Sequence, residues 1–429
     1  MDIETEKRNN ALKHLSRTIK GKKRYAFSKL GNELTLITTK KCNLNCPFCY
    51  DKANLFQIEK EMSPDQIIRL IRICKKMGVK KVRFTGGEAL LKDRFMDILK
   101  ECEGIFVILC SNGLILREKL PLILRMHNPK DLHIHVSMDG TETHKKYRKG
   151  SDPYDILRIL KQIKKISPET EISVNTVLNK DNIYELVELY SLLKSVKPNR
   201  WTISFPRMVD NALKRDFTLP LISDTVIEFN SLIKKYYADK KPFNMSFSYF
   251  YKFELMDKAT YTSPKIDLSQ HPCLPDANGA KGLVIDSFGN IIDCLVLKPL
   301  KKPINLKKLL NEDNLSIAKF VSAIYGSLGT EFYNIKLKDK QECLNCRYFR
   351  LCKGGCPANA YYLRGNLHQT DIISCFMFYY FEKNILPLID AKEQKEYRNL
   401  IDNSKSVDSI NKRINNNKNI FVSLGMLPS

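Results

Sequence analysis

An α/β fold is predicted for this chain: six consecutive βα units on a parallel sheet, followed by a cysteine-rich C-terminal module. Two observations carry the prediction. From Glu33 to about Arg207, short apolar runs alternate with amphipathic stretches of helical period. Beyond His271 stand seven of the thirteen cysteines. The 429 residues are long enough for two or three domains, and 43% hydrophobic with 28% charged residues excludes wholesale disorder and a collagen-like chain.

The expected strands are Leu34–Thr39, Val79–Phe84, Phe106–Cys110, Leu132–Val136, Glu171–Val177 and Arg200–Phe205. Helical patterns follow them. In Ser63–Met77, Ser63 is the capping residue and Asp65 places an acid in the first turn. The expected organisation is a basic N-terminal extension (1–33), a core of βα units (34–207), a connecting region without a clear repeat (208–270), the cysteine-rich module (271–381), and a C-terminal helix with a Lys/Asn-rich tail (382–429). Poor periodicity marks the last thirty residues as a mobile surface segment.

No apolar run approaches the length of a membrane-spanning helix, and the polar start MDIETEKRNN lacks the apolar stretch of an export signal. A cytoplasmic protein without a membrane partner is therefore expected, and its thiols stay reduced. Seventy-one basic against forty-seven acidic residues leave a net charge of +24. That excess points either to an acidic partner, such as an acidic peptide or electron carrier, or to a solvated surface, because the lysines are spread along the chain. Nucleic acid is not the expected partner.

Residues at the C-terminal ends of parallel strands face one mouth, where βα folds place their chemistry. Four groups fall there: Cys42, Cys46 and Cys49 after the first strand, Gly86-Gly87-Glu88 after the second, Ser111-Asn112 after the third, and Ser137 with Asp139 after the fourth. Three thiolates at CxxxCxxC spacing can hold a [4Fe–4S] cluster and leave one iron without a protein ligand. A structural zinc site is the alternative; it wants four ligands, and no His or fourth Cys lies nearby.

The CxxxCx(aromatic)C pattern of Cys42, Cys46, Phe48 and Cys49, with the GGE turn at Gly86–Glu88, resembles the radical S-adenosylmethionine (SAM) superfamily. The resemblance implies a partial (β/α)6 TIM-like barrel, with SAM chelated on the open iron and Phe48 near its adenine. It also implies that Gly86, Gly87 and Glu88 meet the SAM ammonium, and that Ser111, Asn112, Ser137 and Asp139 surround its ribose and carboxylate. His144 and Arg148, in the segment THKKYR, resemble a subgroup's HDxxR stretch, and Arg148 would reach the SAM carboxylate. Ala89 stands where proline is common, a small departure.

The later cysteines read C-x15-G-x4-C, then C-x2-C-x5-C-x3-C, then a last C, which resembles the SPASM extension of radical SAM enzymes that modify peptides. The resemblance implies a C-terminal cysteine-rich iron–sulfur domain with two auxiliary [4Fe–4S] clusters, three clusters in all. Cys273, Cys294 and Cys356 would hold the first auxiliary cluster, and Cys343, Cys346, Cys352 and Cys375 the second. Gly279 stands where some relatives carry an eighth cysteine, so the first is expected to have either an open iron or a ligand such as Asp276 or His271. Cys74, Cys102 and Cys110 read as packed small hydrophobes.

The implied function is reductive cleavage of SAM to a 5′-deoxyadenosyl radical and hydrogen abstraction from a peptide or protein. Maturation of a ribosomally made peptide, by thioether or carbon–carbon crosslinking or another oxidation, is the leading expectation. The electron donor would be a low-potential ferredoxin or flavodoxin. Oxidation of a small molecule such as a sugar is the alternative. Anaerobic sulfatase maturation is disfavoured, because Asp293 precedes the cysteine of the GxxxxC motif and Leu295 follows it.

Overall fold

The computed structural model describes residues 32–49, 55–206, 219–248, 253–254, 268–269, 282–295, 297, 302–327 and 331–427. Cys273, and with it His271, Asp276 and Gly279, lies outside the described residues, as does nearly all of the basic extension.

All six expected strands form: β1 (Glu33–Ile37), β2 (Lys81–Thr85), β3 (Phe106–Ser111), β4 (Leu132–Ser137), β5 (Glu171–Val177) and β6 (Arg200–Ser204). Each pairs in parallel with the next. One face of every strand is apolar and fully buried, as in Leu34 and Leu36, Val82 and Phe84, Ile134 and Val136, and Trp201 and Ile203. Among the alternate residues, Arg83, His133, His135, Asn175 and Thr202 are polar and only partly covered, so the sheet has an apolar outer face and an inner face that is in large part polar.

The apolar face is covered by α1 (Pro64–Lys76), α2 (Phe95–Glu101), α3 (Leu116–Met126), α5 (Pro153–Ile166) and α6 (Leu186–Lys194), whereas the short α4 (Glu142–Tyr147) adds no side chain to that core. The start of α1 is as its sequence requires: Ser63 Oγ accepts the Gln66 N–H at 3.2 Å, and Gln66 returns its side-chain oxygen to the Ser63 N–H at 2.9 Å.

The sheet does not end at β6. Within the expected connecting region, α7 (Ile222–Ala238) leads to β7 (Asn244–Ser248), which pairs in parallel with β6, and β8 (Phe253–Glu254) adds an antiparallel edge. At the other edge β9 (Leu283–Ile285) pairs in parallel with β1, giving the order β8-β7-β6-β5-β4-β3-β2-β1-β9. The expected boundaries at 207 and 271 therefore do not bound the sheet. NMSFS and LVI are too short for periodicity to mark them as strands.

After β9 a hairpin turns at Gly289 (φ +82°), tied by the Asp286 carboxylate to the N–H groups of Phe288 and Asn290, and runs to Asp293 and Cys294. The remainder is helical: α8 (Ile317–Ser327), short turns at Gln341–Leu344 and Phe349–Cys352, α9 (Pro357–Arg364), α10 (Ile372–Tyr380), α11 (Ala391–Arg398), α12 (Asp408–Asn415) and α13 (Lys418–Ser423). The expectation of a mobile tail is overturned. Ile410 and Phe421 are fully buried, Phe421 lies 5.0 Å from the Phe376 ring, and the backbone of Leu219 and Ile222 donates to Leu424 and Met426. A few apolar side chains among the Lys and Asn suffice to dock the segment. Among the described residues no helix is long and apolar enough to cross a membrane.

Candidate active site

The β1 ladder continues past its strand. The Thr38 N–H donates to Thr85 O at 2.7 Å, and those of Gly87 and Glu88 donate to Thr39 O and Lys41 O at 2.8 Å each. The GGE turn thus lies flat against the chain that enters the cysteine loop. Glycine is required for this approach: a Cβ on Gly87 would stand 2.2 Å from Lys41 O, and one on Gly86, whose φ is +140°, 2.5 Å from Thr39 O. Beneath the loop a buried pair that sequence gave no sign of, Glu61 and Lys92 at 3.1 Å, adds an acceptor for the Lys40 N–H at 2.5 Å.

Cys42, Cys46 and Cys49 lie on this loop, partly exposed, with Phe48 buried between them and the barrel. Burial pushes the Cys42 thiol up, and the Cys46 thiol up to about 11 against the opposing pull of Arg148. Three thiols on one loop are the donor set of an iron–sulfur cluster. Among the described residues no three His, Cys, Asp or Glu side chains converge on a single ion. Cys42, Cys46 and Cys49 on their loop would suit a larger cluster rather than a single ion.

The other expected site residues gather round the loop. Glu88 is fully buried and turned inward: its carboxylate accepts the Asn112 N–H at 2.7 Å, the Ser111 hydroxyl at 3.2 Å and the Leu90 N–H at 3.3 Å. Asn112 Nδ2 donates to Asn43 at 2.7 Å and lies 3.9 Å from Cys42 Sγ. Ser137 ends β4 opposite Asn175. Asp139, fully buried, accepts Arg148 Nε at 2.5 Å and the Val177 N–H at 2.7 Å. Arg148 then reaches the cysteine loop itself, its Nη1 3.8 Å from Cys46 Sγ and its guanidinium 5.2 Å from the centre of the Phe48 ring. His144 fixes the turn between them, accepting the Asp139 N–H on Nδ1 at 3.1 Å and donating from Nε2 to Ser151 at 2.9 Å. Burial lowers its pKa to about 4, so it is neutral.

Burial also pushes the Glu88 carboxyl up to about 7 from 4.5. Between those values the native chain holds a proton that the unfolded chain has released, so the fold is progressively disfavoured as pH rises through that window. The unfolding free energy of the wild type is expected to fall relative to Glu88→Gln by up to about 1.4 kcal/mol per pH unit there. Urea titrations of both proteins at the two ends of the window check this, and parallel pH profiles would refute it.

The second set of thiols lines a small cavity bounded by Cys343, Cys346, Cys352 and Cys375, with Thr370, Asp371 and Arg413. Burial raises the pKa of Cys343, of Cys352, and of Cys375 to about 12. Cys294 and Cys356 stand apart from this cavity, both packed on the small core of Leu297, Phe332, Ile335, Ala358 and Leu367. Cys74 and Cys102 are buried in the main core, and Cys110 sits on the inner face beside Arg83.

Residues 36–193 match the Radical SAM superfamily. A GTP 3′,8-cyclase of Clostridium perfringens is 29% identical over 167 residues, 36% of this chain and 50% of that protein, and one of Lactiplantibacillus plantarum is 31% identical over 196 residues, 44% and 58%. The chain spans about half the length of these curated relatives. Among solved structures, Streptococcus suis SuiB bound to precursor peptide SuiA superposes with a TM-score of 0.57 at 18% identity over 85% of this chain and 79% of that one. Native anSMEcpe with bound AdoMet gives 0.62 at 20% identity over 83% and 98%. These two share the fold across both halves of the molecule. With the three-thiol loop laid on a glycine turn at the barrel mouth, residues 36–193 of this chain are a radical SAM domain.

Proposed function

We propose that the chain is a SPASM-type radical SAM enzyme that abstracts hydrogen from a peptide or protein, most fittingly to mature a ribosomally made peptide in the cytoplasm. The observation that carries the reading is the second thiol cavity, outside the barrel, in a fold shared over more than four-fifths of the chain with SuiB, whose structure holds a precursor peptide. The likeness to the two GTP 3′,8-cyclases named above covers 36% and 44% of the chain, too little to include both thiol sets. It supports the SAM chemistry and leaves the substrate open.

In this reading Cys42, Cys46 and Cys49 hold a [4Fe–4S] cluster that, with bound SAM and one electron from a ferredoxin or flavodoxin, supplies a 5′-deoxyadenosyl radical. The chain's own residues position it. Arg148 offers its guanidinium beside Cys46 to the SAM carboxylate, Gly86–Glu88 and Ser111–Asn112 form the polar wall, and Phe48 gives an apolar contact for the adenine. Cys343, Cys346, Cys352 and Cys375 hold one auxiliary cluster, and Cys294 and Cys356, with Cys273, the other. The partly covered polar inner face of β4–β6 receives the substrate.

The test is anaerobic capture of the reconstituted protein from its own cells, with intact-mass analysis of bound peptides before and after SAM and reductant. A bound peptide that loses hydrogens in step with 5′-deoxyadenosine release is the expected result. SAM cleavage that proceeds with a sugar or with GTP, and with no peptide altered, would replace this reading by a small-molecule one.

A further inference from the structure

Arg413 stands far along the chain from every motif, on α12, yet its guanidinium lines the four-thiol cavity. Nη1 donates to Cys375 Sγ at 3.3 Å, and Nη2 donates to the Glu342 carbonyl, next to Cys343, at 3.1 Å. Its side chain is only 12% exposed, so the charge acts in a partly desolvated setting where a hydrogen bond to sulfur is strong. The contact is not that of a loose surface arginine. Besides the burial of Ile410 and Phe421, the Lys405 ammonium donates to Leu344 O at 2.9 Å, and the Asp402 N–H to Arg347 O at 2.9 Å. These contacts clamp the segment before α12 onto the turn that carries Cys343 and Cys346.

A second cation faces the same thiols. Lys340 is 3% exposed, and its ammonium donates to the carbonyls of Leu367 at 3.3 Å and Gln369 at 2.7 Å. Two acids stand beside the cavity: Asp371 is occupied by the N–H groups of Cys356 and Ile373 and by Ser374, and the half-exposed Glu342 carboxylate accepts the Thr370 hydroxyl at 2.7 Å and lies 3.6 Å from Arg413 Nε, offsetting only part of the guanidinium charge.

We infer that Arg413 is a positioning residue that raises the reduction potential of the cluster held by Cys343, Cys346, Cys352 and Cys375. This rests on the cluster assignment under Proposed function. Taking up one electron makes a thiolate-bound cluster more negative, and a fixed guanidinium donating to one of its sulfurs stabilises that state more than the oxidised one. The C-terminal segment, which contributes no strand to the sheet, thereby sets how readily the auxiliary site accepts an electron. No atom is transferred in this step, and the external reductant supplies the electron.

The experiment is a mediated redox titration followed by electron paramagnetic resonance on the full chain carrying alanine at Cys42, Cys46 and Cys49, so that only auxiliary clusters report. Arg413→Gln is expected to keep its iron and to shift the reduced-to-oxidised ratio of one cluster about tenfold toward oxidised at a given potential, a fall of about 59 mV for one electron. Arg413→Lys, which keeps the charge but cannot bridge Cys375 and the Glu342 carbonyl together, is expected to fall in between. Equal potentials in all three proteins overturn the inference. If Arg413→Gln loses iron, the decision passes to Arg413→Lys: a potential below the wild type supports the inference, and one equal to it, or iron loss here too, overturns it. Iron content unchanged by alanine at Cys343, Cys346, Cys352 and Cys375 together would instead show that the underlying cluster assignment fails, and the inference falls with it.

Discussion

Alanine at Cys42, Cys46 and Cys49 together is expected to reduce 5′-deoxyadenosine release to the level seen without enzyme while removing only about four of about twelve irons. The loop that carries the thiols is held from outside them. The ladder from Thr38 to Glu88, the glycine turn and the buried Glu61–Lys92 pair involve no sulfur. The second thiol cavity is built wholly from residues 343–413. The triple variant should therefore fold, keep its auxiliary iron and lose one chemistry. Anaerobic reconstitution, iron and sulfide counting, and chromatography of the nucleoside product check it. Cleavage above background, or loss of all iron, would remove the assignment of the radical cluster to this loop.

Asp139→Ala is expected to destabilise the protein by about 3–5 kcal/mol, the usual range for removing one partner of a buried ion pair. The carboxylate is fully buried, and the Arg148 side chain is 8% exposed. Removing the acid strands the guanidinium between Cys46 and Phe48 and leaves the Val177 N–H without its acceptor. Asp139→Asn keeps an acceptor for Val177 and should cost less, so the difference between the two variants isolates the role of the charge. Chemical denaturation of both gives the numbers. A cost under about 1 kcal/mol for the alanine variant would mean that the pair behaves like an exposed one.

Much of the catalytic half was legible because its signals are local. A strand, a cysteine triplet at fixed spacing and a glycine pair that must lie under a neighbouring backbone are all readable within a dozen residues, and the structure places Gly86–Glu88 against Thr39–Lys41 as that reading needs. Arg148 was legible only in part, since THKKYR also reads as a solvated charge run. What lifts Arg148 out of that class is the pairing with Asp139 across a turn fixed by His144. Arg413 carried no signal at all. Its meaning comes from the docking of α12 on α10, a contact made by single apolar residues in a polar segment, and the same sparse pattern made the tail read as mobile. β7 and β9 were missed for a related reason, because five and three residues stabilised by partners at the sheet edges leave no period of their own.

The pairing of β9 with β1 has a consequence for how the chain reaches its native state. β1 carries the segment that becomes the cysteine loop, yet one of its two neighbours, aligned Leu34 to Leu283, is made only after the rest of the barrel. During synthesis from the N-terminus, the parallel sheet can assemble up to β7 while that side of β1 still offers unpaired backbone groups. The nascent barrel is thus vulnerable to intermolecular strand addition beside its three-thiol loop until the hairpin leading to Cys294 emerges. Its arrival closes that edge, so completion of the strand that bears the three-thiol loop and assembly of the cysteine-rich half are joined in time as well as in space.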